Sequence, residues 1–398
     1  MRYLRRISTR RLLAICTGVV TAGIATATLA LATTAGGPTP PPKPLPTAIH
    51  DALAAAPVQG ISARVQFTNN LIASSSVQGS DPILTGGSGR LWASPDGKLR
   101  LELQSDGGTG DSQFVIDGKR LLVYSGDTGT AYRGALPHGF AEGGSGNEEP
   151  IPSVARIRRE LKMLTRHLTL SGASPTDVAG RPAYGIRTSP KQQGGLLGGV
   201  ELAWDAVHGT PLRAAVYARG ASSPVLELRV TDISFGPVPD SVLAISPPPG
   251  TKVTHLAPPR GHTADTKRRA PVTGRSAVDK RVGFRVVAPR SVAGRKRNEL
   301  RLIESGRSNG ALVTYGRGLD GIAVLELPSS SERQSSGWGE GRESSDELNL
   351  PSVSVDGVAG KELETAIGTV IQFKRGGIDY TVAGSVPSSV AEDVARGL

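Results

Sequence analysis

The sequence predicts a mainly β protein, built from antiparallel sheets with a few helices. Three observations point there. Glycine (51) and proline (29) make up about a fifth of the 398 residues, a content suited to short strands joined by turns. Several stretches alternate apolar and polar residues with period two. Turn-forming pairs such as Asp96-Gly97, Asp117-Gly118 and Gly126-Asp127 separate those stretches.

The chain begins with five arginines (Arg2, Arg5, Arg6, Arg10, Arg11), followed by an uncharged apolar run from Leu12 to Ala32. As a helix those residues would span roughly 31 Å, about one hydrocarbon core. Basic before apolar places the N-terminus inside and the body outside. Residues 1–35 are therefore expected to be a signal peptide or an N-terminal membrane anchor. Ala30-Leu31-Ala32 fits the small-x-small cleavage pattern, while the length of the run favours retention. Residues 36–46 (GGPTPPPKPLP) read as a proline-rich, semi-rigid spacer.

A first folded domain is expected over 47–251. Thr47 caps a short helix with Ile49, Leu53 and Ala56 on one face. Ala63, Val65 and Phe67 alternate with Arg64 and Gln66, and Leu99, Leu101 and Leu103 alternate with Arg100 and Glu102. Such strands bury one face and solvate the other. Phe114–Asp117 and Leu121–Tyr124 form a hairpin. Val154, Ile157, Leu161, Leu164 and Leu168 recur at helical spacing, with Arg156, Arg158, Arg159, Glu160 and Lys162 mostly on the other face. Strands resume at 183–187, 200–204, 212–218 and 225–230.

Residues 252–280 are basic, polar and poor in large apolar side chains, which predicts a flexible linker. A smaller α+β domain follows over 281–398. Its strands are read at 284–287, 311–315, 322–327, 353–355, 369–374 and 378–383. A Ser/Gly/Glu-rich insert at 329–347 is expected to be disordered. A final helix is capped by Ser388 or Ser389, with Val390, Val394 and Leu398 on one stripe.

Charge excludes one class of partner. The net charge is +11, yet the first eleven residues carry +5 and residues 252–301 carry another +11, leaving the rest of the chain at −5. The folded parts are mildly acidic, which argues against nucleic acid. Catalytic and metal signatures were sought. Cys16, in the leader, is the sole cysteine. None of the six histidines has a partner at the i,i+4 spacing of a helical metal site. Gly143-Gly144-Ser145-Gly146 lacks the strand–turn–helix frame of a nucleophile elbow. Gly194-Gly195-Leu196-Leu197-Gly198-Gly199 lacks the Gly-Lys-Ser/Thr of a phosphate loop; it reads as a flexible hairpin connection, or as a gate beside a pocket. No catalytic residue, metal or cofactor is expected, and the chain reads as a non-enzyme.

Four segments carry a family resemblance: Leu91-Trp92-Ala93-Ser94-Pro95-Asp96-Gly97; Phe114-Val115-Ile116-Asp117-Gly118 with Leu122-Val123-Tyr124; Val178-Ala179-Gly180-Arg181-Pro182-Ala183-Tyr184; and Leu202-Ala203-Trp204-Asp205 through Gly209-Thr210-Pro211-Leu212. In this order and spacing they resemble the LolA/LolB-type lipoprotein-carrier superfamily, above all its secreted relatives of the RseB/MucB sigma-factor regulator type. The resemblance covers about half the chain, from Pro46 to Val253. It implies a curved, half-open antiparallel β-barrel with helical lids at 47–56 and 154–168, a hollow for lipid-like or acyl ligands, and coupling to a membrane-bound anti-sigma factor. The contrasting reading is a cell-envelope scaffold whose hollow is filled by its own core.

The apolar alternate set should face the hollow: Phe67, Leu101, Leu103, Phe114 and Ile116, with Trp204 and Val216 from later strands, and Ile157, Leu161 and Leu164 from the lid. The arginine-led leader also fixes an expected topology. A reporter that works only in the cytoplasm, fused after Leu398, should be silent; activity from that fusion would place the body on the wrong side of the membrane.

Overall fold

The computed structural model describes residues 37–72, 80–108, 110–117, 120–136, 151–191, 194–244, 246–256, 272–305, 308–329 and 350–398. The fold is mainly β, as the alternation predicts. The chain divides into two units: residues up to 71 with 79–191 and 198–258, and residues 72–78 with 192–197 and 259–398.

The first unit holds α1 (Leu45–Ala54), β1 (Ile61–Asn69), α2 (Pro82–Thr85), β2 (Gly87–Ala93), β3 (Leu99–Gln104), β4 (Asp111–Asp117), β5 (Arg120–Ser125), β6 (Thr130–Ala135), α3 (Val154–Leu164), β7 (Leu168–Leu170), β8 (Ser174–Val178), β9 (Arg181–Pro190), β10 (Leu197–Asp205), β11 (Pro211–Ala218), β12 (Leu226–Phe235), α4 (Asp240–Leu243) and β13 (Lys252–Leu256). One sheet runs β13-β6-β5-β4-β3-β2-β1-β12-β11-β10-β9-β7, with β8 also on β9. Every pairing with a stated direction is antiparallel except β13 with β6. The two ends of the sheet do not pair with each other, so it is half-open. A register shift at Arg64/Val65 marks an irregularity of β1 against β12, the kind of device that bends a strand. Gly89 lets β2 and β3 approach closely, because a Cβ there would lie 1.9 Å from the Glu102 carbonyl oxygen.

Three expectations for this unit change. α1 starts at Leu45, with proline in its first turn, and not at Thr47; a proline there gives up no helical hydrogen bond. Its buried stripe is accordingly Leu45 and Ala48, flanked by Ile49 and Ala52, and Ala56 is exposed. α3 is capped by Ser153, whose hydroxyl accepts from the Arg156 N–H, and it ends at Leu164. Leu168 begins β7 because its strand finds a ladder partner in Pro190. Lys252–Leu256, assigned to the linker by composition, form β13 against Thr130–Gly134; backbone pairing to an open edge requires no apolar side chains.

The second unit holds α5 (Arg275–Val282), β14 (Ser291–Val292), β15 (Arg295–Ser305), β16 (Ser308–Tyr315), β17 (Ile322–Pro328), β18 (Ser352–Val355), β19 (Val358–Thr365), β20 (Gly368–Arg375), β21 (Ile378–Gly384) and α6 (Ser388–Arg396). Its eight-stranded sheet runs β14-β15-β16-β17-β21-β20-β19-β18. α5 starts within the segment read as a linker, burying Val278 and Val282. Residues 284–287, expected as a strand, are an extended strap: Val286 is fully buried, and the Val287 N–H donates to Glu326 Oε2 at 2.9 Å in place of a ladder partner. β15 was not anticipated, since Leu300 and Leu302 are nearly its only apolar residues ahead of Ile303. α6 is preceded by Pro387 with no side-chain cap, and Val394, Ala391 and Ala395 are its buried stripe. Residues 194–197 group with this unit; the Leu196 N–H donates to the Ser385 carbonyl at 2.8 Å, so the glycine-rich connection is held here.

The leader, the Gly143–Gly146 segment and residues 330–347 of the expected insert lie outside the described residues. Among those described, no helix is long and apolar enough to cross a membrane.

Glu326 is fully buried in β17, with Oε1 unpartnered and the hydroxyl of buried Tyr315 also unpartnered. Burial, opposed by the Val287 N–H and Arg275, pushes its carboxyl up to about 7 from 4.5. A carboxyl raised in the fold binds a proton that the unfolded chain has released, so stability falls as pH rises from about 4.5 through 7, at roughly 1 kcal/mol per pH unit. Glu326→Gln should flatten this dependence and raise the melting temperature at pH 8. An unchanged pH slope in thermal melts would show that Glu326 is not its origin.

Candidate functional site

The first unit's sheet has one apolar face, and the two lid helices lie over one end of it. α1 packs on α3. Leu45 and Ala48 join Tyr184, Leu202, Trp204 and Ala214 in one buried cluster, with Leu161, Ile49, Ala52 and Ile186 against it. Trp204 and Tyr184 face each other across β10 and β9, their ring centroids 6.3 Å apart and tilted by 41°. The Tyr184 hydroxyl donates to the Pro41 carbonyl at 2.7 Å, which ties the spacer to the sheet. The His50 ring nitrogen lies 3.0 Å from the Pro152 carbonyl, linking α1 to the approach to α3.

The other end is less covered. Phe67, Leu101 and Leu103 are buried with Val65, Leu212 and Val230, and Leu91, Leu99, Phe114 and Leu228 pack against them. Cross-strand register aligns Leu91, Leu101, Phe114 and Val123 in one row and Leu99, Ile116 and Leu121 in the next. Apart from Leu101, these row members are only half-buried.

The expected inward set therefore divides. Phe67, Leu101, Leu103 and Phe114 share one cluster; Trp204 and Leu161 share the other. Ile157 is buried, and Ile116 and Val216 are half-buried, outside both. Leu164 departs from expectation. It is 37% exposed, because α3 ends there and the chain turns away before another helical turn can cover it. Sequence reasoning missed Leu202, Tyr184, Leu45 and Ala48. Leu202 was legible, since it shares Trp204's face at spacing two.

Two features hold this end in place. Asp205 is fully buried at the end of β10; its Oδ1 accepts from the N–H groups of Val207 (2.9 Å) and His208 (2.7 Å), and its Oδ2 accepts from Arg181. Burial works against the carboxylate, but Arg181 and the two amides outweigh it and hold Asp205 below the ordinary range. The turn it builds leads to Gly209, at φ +68°. On the face of β10–β12 opposite Trp204 and Leu202, Arg213 binds both Glu201 and Glu227, and Tyr217 donates to Glu201 at 2.8 Å. Burial raises the Glu227 carboxyl in spite of Arg213.

No group of three or more His, Cys, Asp or Glu gathers at metal-binding range among the described residues. Two hollows there are lined largely by polar groups. One of about 360 Å3 meets Arg90, Glu102 and Gln113; one of about 330 Å3 meets Arg100, Tyr124 and Pro247.

No protein-family profile and no curated protein matches the chain. Solved structures similar to it include the Pseudomonas aeruginosa MucA/MucB complex, at 16% identity over 88% of this chain and 95% of that one, TM-score 0.39. A LolA-superfamily protein from Nitrosomonas europaea aligns at 10% identity over 51% of this chain and 99% of that one, TM-score 0.22. An uncharacterized conserved protein from Thermus thermophilus aligns at 14% over 53% and 96%, TM-score 0.32.

Gly209 sits under the first lid: a Cβ there would lie 2.2 Å from the Ala52 carbonyl oxygen of α1. Gly209→Ala adds both that clash and a positive-φ penalty, so it should cost more than about 1 kcal/mol. Hydrogen exchange should quicken in residues 45–54 before the rest of the sheet. Uniform loosening, or none, would separate the turn from the lid.

Proposed function

We propose that this protein is a non-enzymatic, extracytoplasmic binding protein that takes a lipid-like or acyl ligand on the lidded apolar face of its first unit. The leader tethers it to the membrane or is cleaved on export. Following the sequence resemblance, ligand occupancy is relayed to a membrane-bound anti-sigma factor. One observation carries the ligand reading: next to a packed core lies an aligned band of half-buried apolar side chains, Leu91, Leu99, Phe114, Ile116 and Val123, beyond the cluster in which the lid helices take part. Apolar surface left in contact with water is a common mark of a binding face.

A second reading keeps a specific support. Phe67, Leu101, Leu103 and Trp204 are each at most 5% exposed, which favours a filled-core scaffold for that part of the set. The half-buried and fully buried members therefore make opposite predictions. Leu103→Trp overfills the core and should cost about 1–3 kcal/mol. Phe114→Trp enlarges a half-covered position and should leave the melting temperature nearly unchanged while displacing the ligand. Native mass spectrometry of the gently purified parent should find a bound lipid, diminished in Phe114→Trp. If no lipid co-purifies and both variants lose stability alike, the scaffold reading replaces the carrier.

A further inference from the structure

We infer that the outward face of α3 is a docking surface for an anionic phospholipid bilayer, independent of the ligand face beneath it. α3 buries Ile157 and rests Leu161 on the core. At 100° per residue, Arg158, Arg159 and Lys162 fall within about 100° of arc on the side opposite Ile157, Arg166 follows in the turn just past the helix end, and all four are exposed. The remaining residue of that arc is Ala155, also exposed. Lys191 extends the positive charge at the helix end, where its ammonium donates to the Thr165 carbonyl at 2.5 Å.

Among the described residues the face is of one sign, and the one ion pair on α3 is Arg156 with Glu160, at 3.0 Å. None of the four outward cations has an acidic partner among the described residues. Some exposed cations elsewhere are paired, as Arg396 of α6 is with Glu392 and Asp393 and Arg120 with Asp117. Arg158/Lys162 at i,i+4 and Arg159/Lys162 at i,i+3 repel each other and weaken the isolated helix. An anionic surface relieves that repulsion.

Position along the chain favours a bilayer over an acidic peptide. The apolar run ends at residue 32, α1 begins at Leu45 and packs on α3. The twelve residues 33–44 between them reach about 37 Å when extended. On the proposed reading of the leader as a membrane tether, on which this step rests, α3 lies within one spacer length of the membrane.

The test uses the full chain carrying Cys16→Ser and Ala155→Cys, with a dye on residue 155, added to vesicles that contain nitroxide-headgroup lipid. The dye should be quenched on vesicles containing phosphatidylglycerol at low salt. It should be spared on neutral phosphatidylcholine and released at high salt. Changing Arg158, Arg159, Lys162 and Arg166 to Gln should weaken quenching by roughly fivefold per charge, about 1 kcal/mol each. The leader is common to both chains, so its own membrane affinity cancels. The melting temperature of the variant should hold or rise; if it falls, the salt titration of the parent chain decides alone. Equal quenching on neutral vesicles, or quenching untouched by salt, overturns the proposal. So does an unquenched dye on every vesicle while an acidic peptide binds through the same four residues, an outcome that gives the face to a protein partner.

Discussion

The contact between Tyr184 and Trp204 and the two lid helices is what the first unit's architecture depends on. A sheet with one apolar face must cover that face, and two large aromatics at the β9–β10 end supply the surface against which α1 settles. With Leu45 and Ala48 seated there, α3 packs on α1 and rests its Leu161 on the same cluster. The hydroxyl of Tyr184 adds a directional restraint on the spacer through Pro41. The helices are ten and eleven residues long; at 1.5 Å per residue each spans roughly 15 Å, too short to cover a sheet this wide. Beyond them the rows of Leu91, Phe114 and Val123 and of Leu99, Ile116 and Leu121 are left half-buried.

Buried polar groups are handled in three different ways. Asp205 is saturated by two amides and Arg181, so its charge is stabilised where it lies. Arg213 bridges Glu201 and Glu227 in a network that satisfies itself, yet Glu227 remains hard to ionise. Such a network adds little net stability compared with an apolar substitute, but breaking one member leaves an uncompensated charge. Glu326 has a single N–H donor and an oxygen without a partner, so it is held as a near-neutral acid at the centre of the second unit. The first holds the turn at the lidded end of β10 and the second braces the opposite face of the same strands; the third is a carboxyl whose burial favours its protonated form.

Much was legible from the sequence where a single physical rule decides the outcome. Alternation placed β1, β3, β4 and the later strands, because one face must be dry and the other wet. The helical spacing of Ile157 and Leu161 placed α3 and its buried side. Where rules compete, the reading failed. β15 is rich in charge and was passed over, since its place in the sheet comes from ladder hydrogen bonds that any side chain permits. β13 was hidden in a basic segment for the same reason. Residues 284–287 look like a strand by composition, but a buried carboxylate takes the N–H of Val287.

By itself the sequence determined the mainly β class, the two-faced alternation of the strands, the apolar stripe of α3 and the absence of a familiar catalytic motif. These depend on side-chain period and chemistry, which are local. Only the tertiary structure decided which apolar residues are packed core and which are left half-covered. Phe67 and Phe114 are alike in sequence terms, each an apolar member of an alternating strand, yet one is 3% exposed and the other half-buried. The difference lies in what packs against them. Phe67 sits on the central strand β1 within the cluster of Val65, Leu212 and Val230, from strands far apart in the chain, whereas Phe114 on β4 lies at the margin of that cluster.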